Sequence, residues 1–386
     1  MEKLYYGRGK DEDNKKLIAF IDEVFFKTIP NLNFFDMLPK IYKDKYRPAY
    51  NNFVVQDENG EFRSAIGNFY NDMNIGGEFF HACCIGNVAV GEKYRSMGYM
   101  IELMNRSIED MKADGVDVAY LGGQRQRYGY FGFEISGRRY LFSYNKQVIK
   151  HAFGNKSSEM TIEPLCEKDS ESIRKILAIY NQSPVRSIRN EDSLFDVLCT
   201  WNGKPYIMKK NGEFIGYFSM DENNKIVMEC GVVDSKYLKN LVIAVFETSP
   251  EYDIEFCTAP FETNKIKFFN ASAENVNMSG SESILVFNFE KYMRALFRVK
   301  SQYAKLCDGE AVVLIHGKFG DENLKICVKN NVPSVEKTDE KPSIEFSHHE
   351  ATRVFFSNYT FDRSSLPAEI QQWLPLPSYF YMTDTM

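Results

Sequence analysis

At 386 residues the chain exceeds what one hydrophobic core usually serves, so two or three domains are expected. An apolar fraction of 44%, with 15% aromatic and 26% charged residues, can bury real cores and is ordinary for a soluble protein. The net charge of −6 argues against nucleic acid as the main partner and suits cationic substrates.

The opening MEKLYYGRGKDEDNKK is polar, with no signal-peptide core, and no membrane-length apolar run follows. A cytoplasmic protein with no membrane partner is expected. Asp13 is placed to cap a helix whose Leu17, Ile18, Ile21, Val24 and Phe25 recur at helical spacing and which stops before Pro30. Residues 53–55, a turn at Asn59-Gly60 and a strand over 62–70 read as a hairpin. Residues 79–90 read as one long strand or two abutting ones. Met97, Met100, Ile101, Met104, Ile108 and Met111 mark a helix ending at Gly115, before a short buried strand over 118–121. Strand, helix, strand is a βαβ unit, so part of the sheet is parallel.

After about residue 155 the pattern restarts. Ile173, Ile176, Leu177 and Tyr180 give a helix, residues 206–208 a strand, and Asn211-Gly212-Glu213-Phe214 repeats the Asn59-Gly60-Glu61-Phe62 turn before a returning strand over 215–220. GVVDSKYLKNLVIAVF then stands where VAVGEKYRSMGYMIEL stood in the first copy. From about Leu285 the composition changes. Helices are expected over 289–297 and 347–356, strands over 311–316 and 324–328, and an exposed, charged loop over 332–342. The tail LPLPSYFYMTDTM is too proline-broken for a helix. It still carries Trp373, Leu374, Leu376, Tyr379, Phe380 and Tyr381, which predicts packing against another domain.

The eight cysteines (Cys83, Cys84, Cys166, Cys199, Cys230, Cys257, Cys307 and Cys327) form no C-x-x-C and have no histidine at metal-ligand spacing. Buried free thiols and no metal site are expected. VAVGEKYRSMGYM carries more chemistry. Its strand ends at Val90, and Arg95-Ser96-Met97-Gly98 opens the next helix, whose first N–H groups have no intrahelical partner. Gly98 allows close approach and Arg95 adds charge, so this is an anion site or, equally well, an ordinary helix start beside a solvated arginine.

Arg95-Ser96-Met97-Gly98-Tyr99-Met100, followed by Tyr128-Gly129-Tyr130-Phe131-Gly132-Phe133, resembles the R-x-x-G-x-x and Y-x-x-x-G-F pattern of the GNAT superfamily of acetyl-CoA-dependent N-acetyltransferases. Met100 departs from the usual Gly or Ala at that position. The second copy and the extra C-terminal segment narrow the resemblance to the Eis-type (enhanced intracellular survival) acetyltransferases. It implies an α/β protein with two tandem GNAT folds, each a mixed, partly parallel sheet flanked by helices, plus an α+β sterol-carrier-like domain. The expected boundaries are 1–155, 156–284 and 285–386. The second copy, with Leu238 and Leu241 in place of Arg95 and Gly98, is expected to be structural.

The resemblance further implies acetyl-CoA as co-substrate, held by Val88, Ala89, Val90, Arg95, Ser96, Met97, Gly98, Tyr99 and Met100. It implies Tyr128 as the general acid and the chain's own terminal carboxylate, here Met386, as the general base. The side chain of Asp384 and a water stay open as alternatives to that carboxylate. The implied acceptors are amines of cationic substrates, aminoglycoside-like molecules or lysine side chains, and the implied assembly is a homo-oligomer, a hexamer. A reading from a different class is a lipid-binding protein whose third domain holds an apolar ligand and whose first domain is inactive. Elsewhere, Tyr130, Phe131 and Phe133 read as packing, His348-His349 as exposed or capping, and Gly137-Arg138-Arg139 as a solvated turn.

Overall fold

The structure, a computed structural model, describes residues 3–26, 33–154, 160–249, 253–358 and 362–386. The expected helix stop at Pro30 and the expected boundary at 155/156 lie outside the described residues. In chain order the first strands are β1 (Tyr5–Arg8), β2 (Asn52–Gln56), β3 (Phe62–Tyr70), β4 (Met73–Ile75) and β5 (Glu78–Phe80). Next come β6 (Ala82–Val90), β7 (Val118–Leu121), β8 (Glu134–Ser136) and β9 (Arg139–Tyr144). The middle of the chain gives β10 (Thr161–Pro164), β11 (Val185–Ser187), β12 (Gly203–Lys210), β13 (Glu213–Asp221) and β14 (Ile226–Val232). It continues with β15 (Ile254–Thr258), β16 (Asn275–Ser279) and β17 (Glu282–Val286). The last four are β18 (Gly309–Gly317), β19 (Gly320–Lys329), β20 (Val332–Lys337) and β21 (Ile344–Ser347).

Two seven-stranded sheets share one layout. The first runs β1-β2-β3-β6-β7-β17-β8 and the second β10-β12-β13-β14-β15-β9-β16. Among the described residues, the only parallel pair in each is the one joined by a crossover helix, β6 with β7 and β14 with β15. The sixth place in each sheet is filled from the other side of the expected 155/156 boundary. β17 enters the first sheet between β7 and β8, and β9 enters the second beside β15. The two sheets are therefore tied together by exchanged strands, which no local sequence pattern announces.

The crossover helix of the first sheet, Tyr99–Ala113, buries Tyr99, Leu103, Met104, Ser107, Ile108 and Met111, one face at helical spacing. Gly115, at φ 73°, turns the chain beyond its end. Met97 and Ile101 lie on the other side and are exposed. The corresponding helix of the second sheet, Leu238–Thr248, buries both Leu238 and Leu241.

The last sheet is ordered β20-β19-β18-β21. The expected loop over 332–342 is a strand over its first half, because β20 pairs with β19 and buries Val335 completely. The helix Phe289–Tyr303 lays Phe289, Tyr292, Met293, Leu296 and Phe297 into the same core as Trp373, Leu374, Leu376, Tyr379, Phe380 and Tyr381 of the tail. Lys300 Nζ holds the tail from that helix, donating to Trp373 O at 2.6 Å and Pro375 O at 3.1 Å. The tail is thus a packed element, as its aromatic content predicts. Among the described residues no helix is long and apolar enough to cross a membrane, and no cluster of His, Cys, Asp and Glu could hold a metal ion.

Candidate active site

β6 and β7 pair only over Ala82–Cys84 and Val118–Tyr120, and beyond Cys84 the two strands part. On its other side β6 carries an extra residue. Its partners on β3 jump from Ala89 opposite Ala65 to Gly86 opposite Gly67, and Asn87 takes φ 39°. Asn87 is pinned there, accepting from the Tyr42 hydroxyl at 3.1 Å and donating to Asn52 Oδ1 at 2.6 Å. The bulge reverses which way the side chains point. Cys83 and Ile85 pack on the helix face before it, and Val88 does so after it.

Past the bulge, a cavity of about 660 Å³ opens between β6, the Tyr99–Ala113 helix and the chain after β7. Val88, Val90, Arg95, Ser96, Gly98, Tyr99 and Met100 line it, joined by Arg127 from the short helix Arg125–Gly129. The helix start has no side-chain cap, and its first-turn N–H groups carry the dipole's partial positive charge. Ser96 at φ 67° and Gly98 at φ 81° bend the loop. A Cβ at Gly98 would meet open space, so it is this backbone angle that calls for glycine. Ala89, fully buried, faces away into the core beneath the Asn14–Phe26 helix, and Met97 stands exposed outside the lining.

Tyr128 is buried in the cluster that backs this cavity, with Val88, Tyr99 and Met100. Burial pushes its phenol above the usual value, opposed by the neighbouring Arg127 guanidinium. Its ring lies against Gly123, where a Cβ would come within 2.6 Å of Cε2. On the adjacent Gly122, a Cβ would lie 3.3 Å from Glu282 Oε2 and 3.8 Å from the terminal oxygen of Met386. The Gly122-Gly123 pair therefore runs between the tyrosine and the end of the tail. A Cβ at Gly86 would lie 3.3 Å from Met386 Cε, so the last side chain covers the strand just before the bulge. Of the flanking rings, Phe131 and Phe133 are core, whereas Tyr130 is 74% exposed. Tyr130 is not packing because the residues around it turn back toward β8 and leave it outside.

What holds the tail here is a buried ionic cluster in the second sheet. Arg189 donates to both oxygens of Glu229 (2.8 and 2.7 Å) and to Asp384 Oδ1 (3.0 Å). Its guanidinium carbon lies 3.7 Å from the Tyr180 ring centroid, while the Tyr180 hydroxyl donates to Asp384 Oδ2 at 3.0 Å. Both carboxylate oxygens of Asp384 thus accept hydrogen bonds from buried groups. Lys40 Nζ donates to Thr383 O at 2.6 Å and Thr385 O at 3.0 Å. Burial lowers Lys40 to about 8.

Glu282 on β17 is a second carboxyl at the same point. Arg139 donates to its Oε1 at 3.3 Å, yet burial outweighs both Arg139 and Lys40 and raises it to about 7. Arg139 is accordingly no solvated turn residue; β9 carries it into the interior between the sheets. His348, expected to be exposed or capping, is buried at 6% exposure, accepts from Lys318 N and is pushed down to about 4 by that burial. Cys83, Cys84, Cys230 and Cys257 are buried free thiols, as expected, whereas Cys166 is exposed.

Sequence reasoning missed Lys40, Arg127, Arg189, Glu229 and Glu282. Only Glu229 leaves a trace: a lone carboxylate in the otherwise apolar strand IVMECGV requires a buried partner. A still larger cavity, about 850 Å³, lies beside β8, where Glu134 is ion-paired with both Arg125 and Arg353.

Residues 6–136 match the family described as Acetyltransferase (GNAT) domain. No curated protein matches the chain. Among solved structures, a GCN5-related N-acetyltransferase from Anabaena variabilis aligns over 100% of both chains with a TM-score of 0.70 at 12% identity. A protein from Enterococcus faecalis described as a probable N-acyltransferase aligns over 98% of this chain and all of its own (TM-score 0.67, 15% identity). Eis1 from Mycobacterium abscessus covers 100% of this chain and 98% of its own, with a TM-score of 0.64 at 13% identity. At these identities the likeness is one of fold, and it extends over the whole chain. Residues 6–136, which carry the cavity and all of the first sheet except β17, thus match a GNAT acetyltransferase domain, within a chain whose full length shares its fold with these solved structures.

Proposed function

We propose that the protein transfers an acetyl group from acetyl-CoA to the amine nitrogen of a cationic acceptor. One observation carries this reading: an uncapped, arginine-flanked helix start and the buried end of the tail meet on either side of one strand bulge. The N–H groups at the start of the Tyr99–Ala113 helix, with Arg95 and Arg127, supply the donors a pyrophosphate needs. Among the described residues no strand pairs with the β7-facing edge of β6 beyond Cys84, so its backbone there can pair with the extended pantetheine arm. One such N–H then faces the thioester oxygen as it gains charge.

The acceptor arrives as an ammonium and loses a proton to the Met386 carboxylate. The freed amine attacks the thioester carbon; a C–N bond forms and the C–S bond breaks. Tyr128 gives its phenolic proton to the departing thiolate, and the proton lost by the new amide nitrogen restores the phenol through the site. The balance is one amide, one free CoA thiol and one proton released. Burial keeps the Tyr128 phenol protonated at neutral pH, the state a general acid requires.

The test uses the full chain. Acetyl-CoA is expected to raise the melting temperature, and free thiol to appear when an amine is added. Neither stabilisation nor thiol release across a panel of aminoglycosides, polyamines, simple amines and lysine peptides overturns the reading, and leaves a lipid-binding role to be examined.

A further inference from the structure

We propose that the acceptor site is the small cavity on the far side of Met386, and that it selects a free primary amine on a single aryl-alkyl stem. This rests on the acetyl-transfer reading above and names its acceptor class. The cavity holds about 270 Å³ and is lined by both Cys84 of β6 and Met386, so it reaches the parting of β6 and β7 from the side opposite the CoA cavity. Pockets that bury a drug-sized ligand occupy roughly 300–1,000 Å³. This one lies just below that range, too small for a multi-ring aminoglycoside to enter beyond one ring.

Its walls mix apolar and aromatic groups with polar ones, among them Asn51, Asn71 and Ser193. Ile41, Phe69, Tyr70 and Val197 face it, while Ile188, half exposed, and the exposed Asn190 stand at its mouth. An aryl group gains ring-on-ring contact with Phe69 that an alkyl lysine stem does not. A bound cation is also attracted to such ring faces.

The charges around the cavity point to one cation. Lys40 and Arg189 line it, but Lys40 is engaged by the Thr383 and Thr385 carbonyls and Arg189 by Glu229 and Asp384. Lys40 and Arg189 together balance Glu229 and Asp384. Among the described residues, the Met386 carboxylate has no ion-pair partner. One uncommitted carboxylate matches one ammonium. A polycation forced into this space would carry further desolvated charges with nothing to pair them.

The experiment measures kcat/KM on the full chain with acetyl-CoA for 2-phenylethylamine, n-hexylamine, kanamycin and a short lysine peptide. We expect 2-phenylethylamine to exceed kanamycin and the peptide by at least ~10-fold, the scale on which pocket fit discriminates substrates. A Ser193→Phe change, which fills the cavity from the Glu191–Leu198 helix, is expected to raise the KM for 2-phenylethylamine by at least ~10-fold. Stabilisation by acetyl-CoA should stay unchanged in that variant, which also reports that it folds. Preference for kanamycin or the peptide overturns the proposal while leaving acetyl transfer intact, and so does an unaltered KM in a folded variant. Should the variant not fold, the acceptor series on the unaltered chain decides alone. Absence of both acetyl-CoA stabilisation and thiol release removes the acetyl-transfer reading itself.

Discussion

Arg189 and Asp384, 195 residues apart in the chain, form an ion pair of 3.0 Å with each side chain almost wholly buried. The pair joins the segment after β11 to the tail, with Asp384 two residues before Met386. Removing one partner of a buried pair costs about 3–5 kcal/mol, because the other charge is left unpaired. Here Arg189 keeps Glu229, so Asp384→Ala is expected near the low end, about 3 kcal/mol, and Arg189→Ala, which orphans two carboxylates, near the high end. Denaturant unfolding measures both. Each variant should also expose the tail to carboxypeptidase, and a tail that stays protected would contradict the clamp.

Arg95 is exposed at the mouth of the cavity proposed for acetyl-CoA, and among the described residues its side chain has no hydrogen-bond or ion-pair partner. Arg95→Ala should leave unfolding free energy within about 0.5 kcal/mol. It should raise the KM for acetyl-CoA by about 10-fold, equivalent to about 1.4 kcal/mol. The loss should shrink at high salt, since an exposed charge is screened within about 10 Å at 0.1 M.

Tyr128→Phe keeps the ring against Gly123 and removes only the hydroxyl. Losing a positioned general acid typically costs 10²–10⁴-fold, so kcat is expected to fall by at least about 100-fold with KM for acetyl-CoA unchanged. A drop confined to KM would assign the hydroxyl to binding.

Glu282 gives the interior a pH dependence of unusual sign. Its buried carboxyl is raised to about 7 from 4.5, so the fold favours the protonated form. The stability it contributes is complete below about pH 4.5 and is lost as pH rises through 7. The upper bound is about 3 kcal/mol at 1.36 kcal/mol per unit. Glu282→Gln, neutral throughout, should gain on the unaltered protein between pH 5 and 8 in melting temperature. Parallel curves for the two proteins would rule this out.

Much of the fold was legible because it is local. The Asn59-Gly60 and Asn211-Gly212 turns, the helical spacing of Met104, Ile108 and Met111, and the aromatic tail each carry their signal in a few consecutive residues. The exchange of β9 and β17 was not legible, since strand pairing at long range depends on partners a single segment does not reveal. The same holds for the site. Arg95, Ser96 and Gly98 sit in one motif, and the structure gathers them around one cavity. Lys40, Arg189 and Glu282 come from three separate regions, and each becomes informative only when burial forces it to find a partner. Tyr130 shows the converse error: hydrophobic character marked it as core, while the tight turn through Gly129 and Gly132 leaves it in solvent.

The proposed reaction puts the far end of the chain to work at the parting of β6 and β7. It is tested most directly by amidating the Met386 carboxylate, which removes its charge and basicity while leaving the clamp at Asp384 in place. The account predicts a fall in kcat of at least about 100-fold, the scale of a lost general base, with acetyl-CoA binding and melting temperature retained. Unchanged turnover in the amidated protein would contradict it.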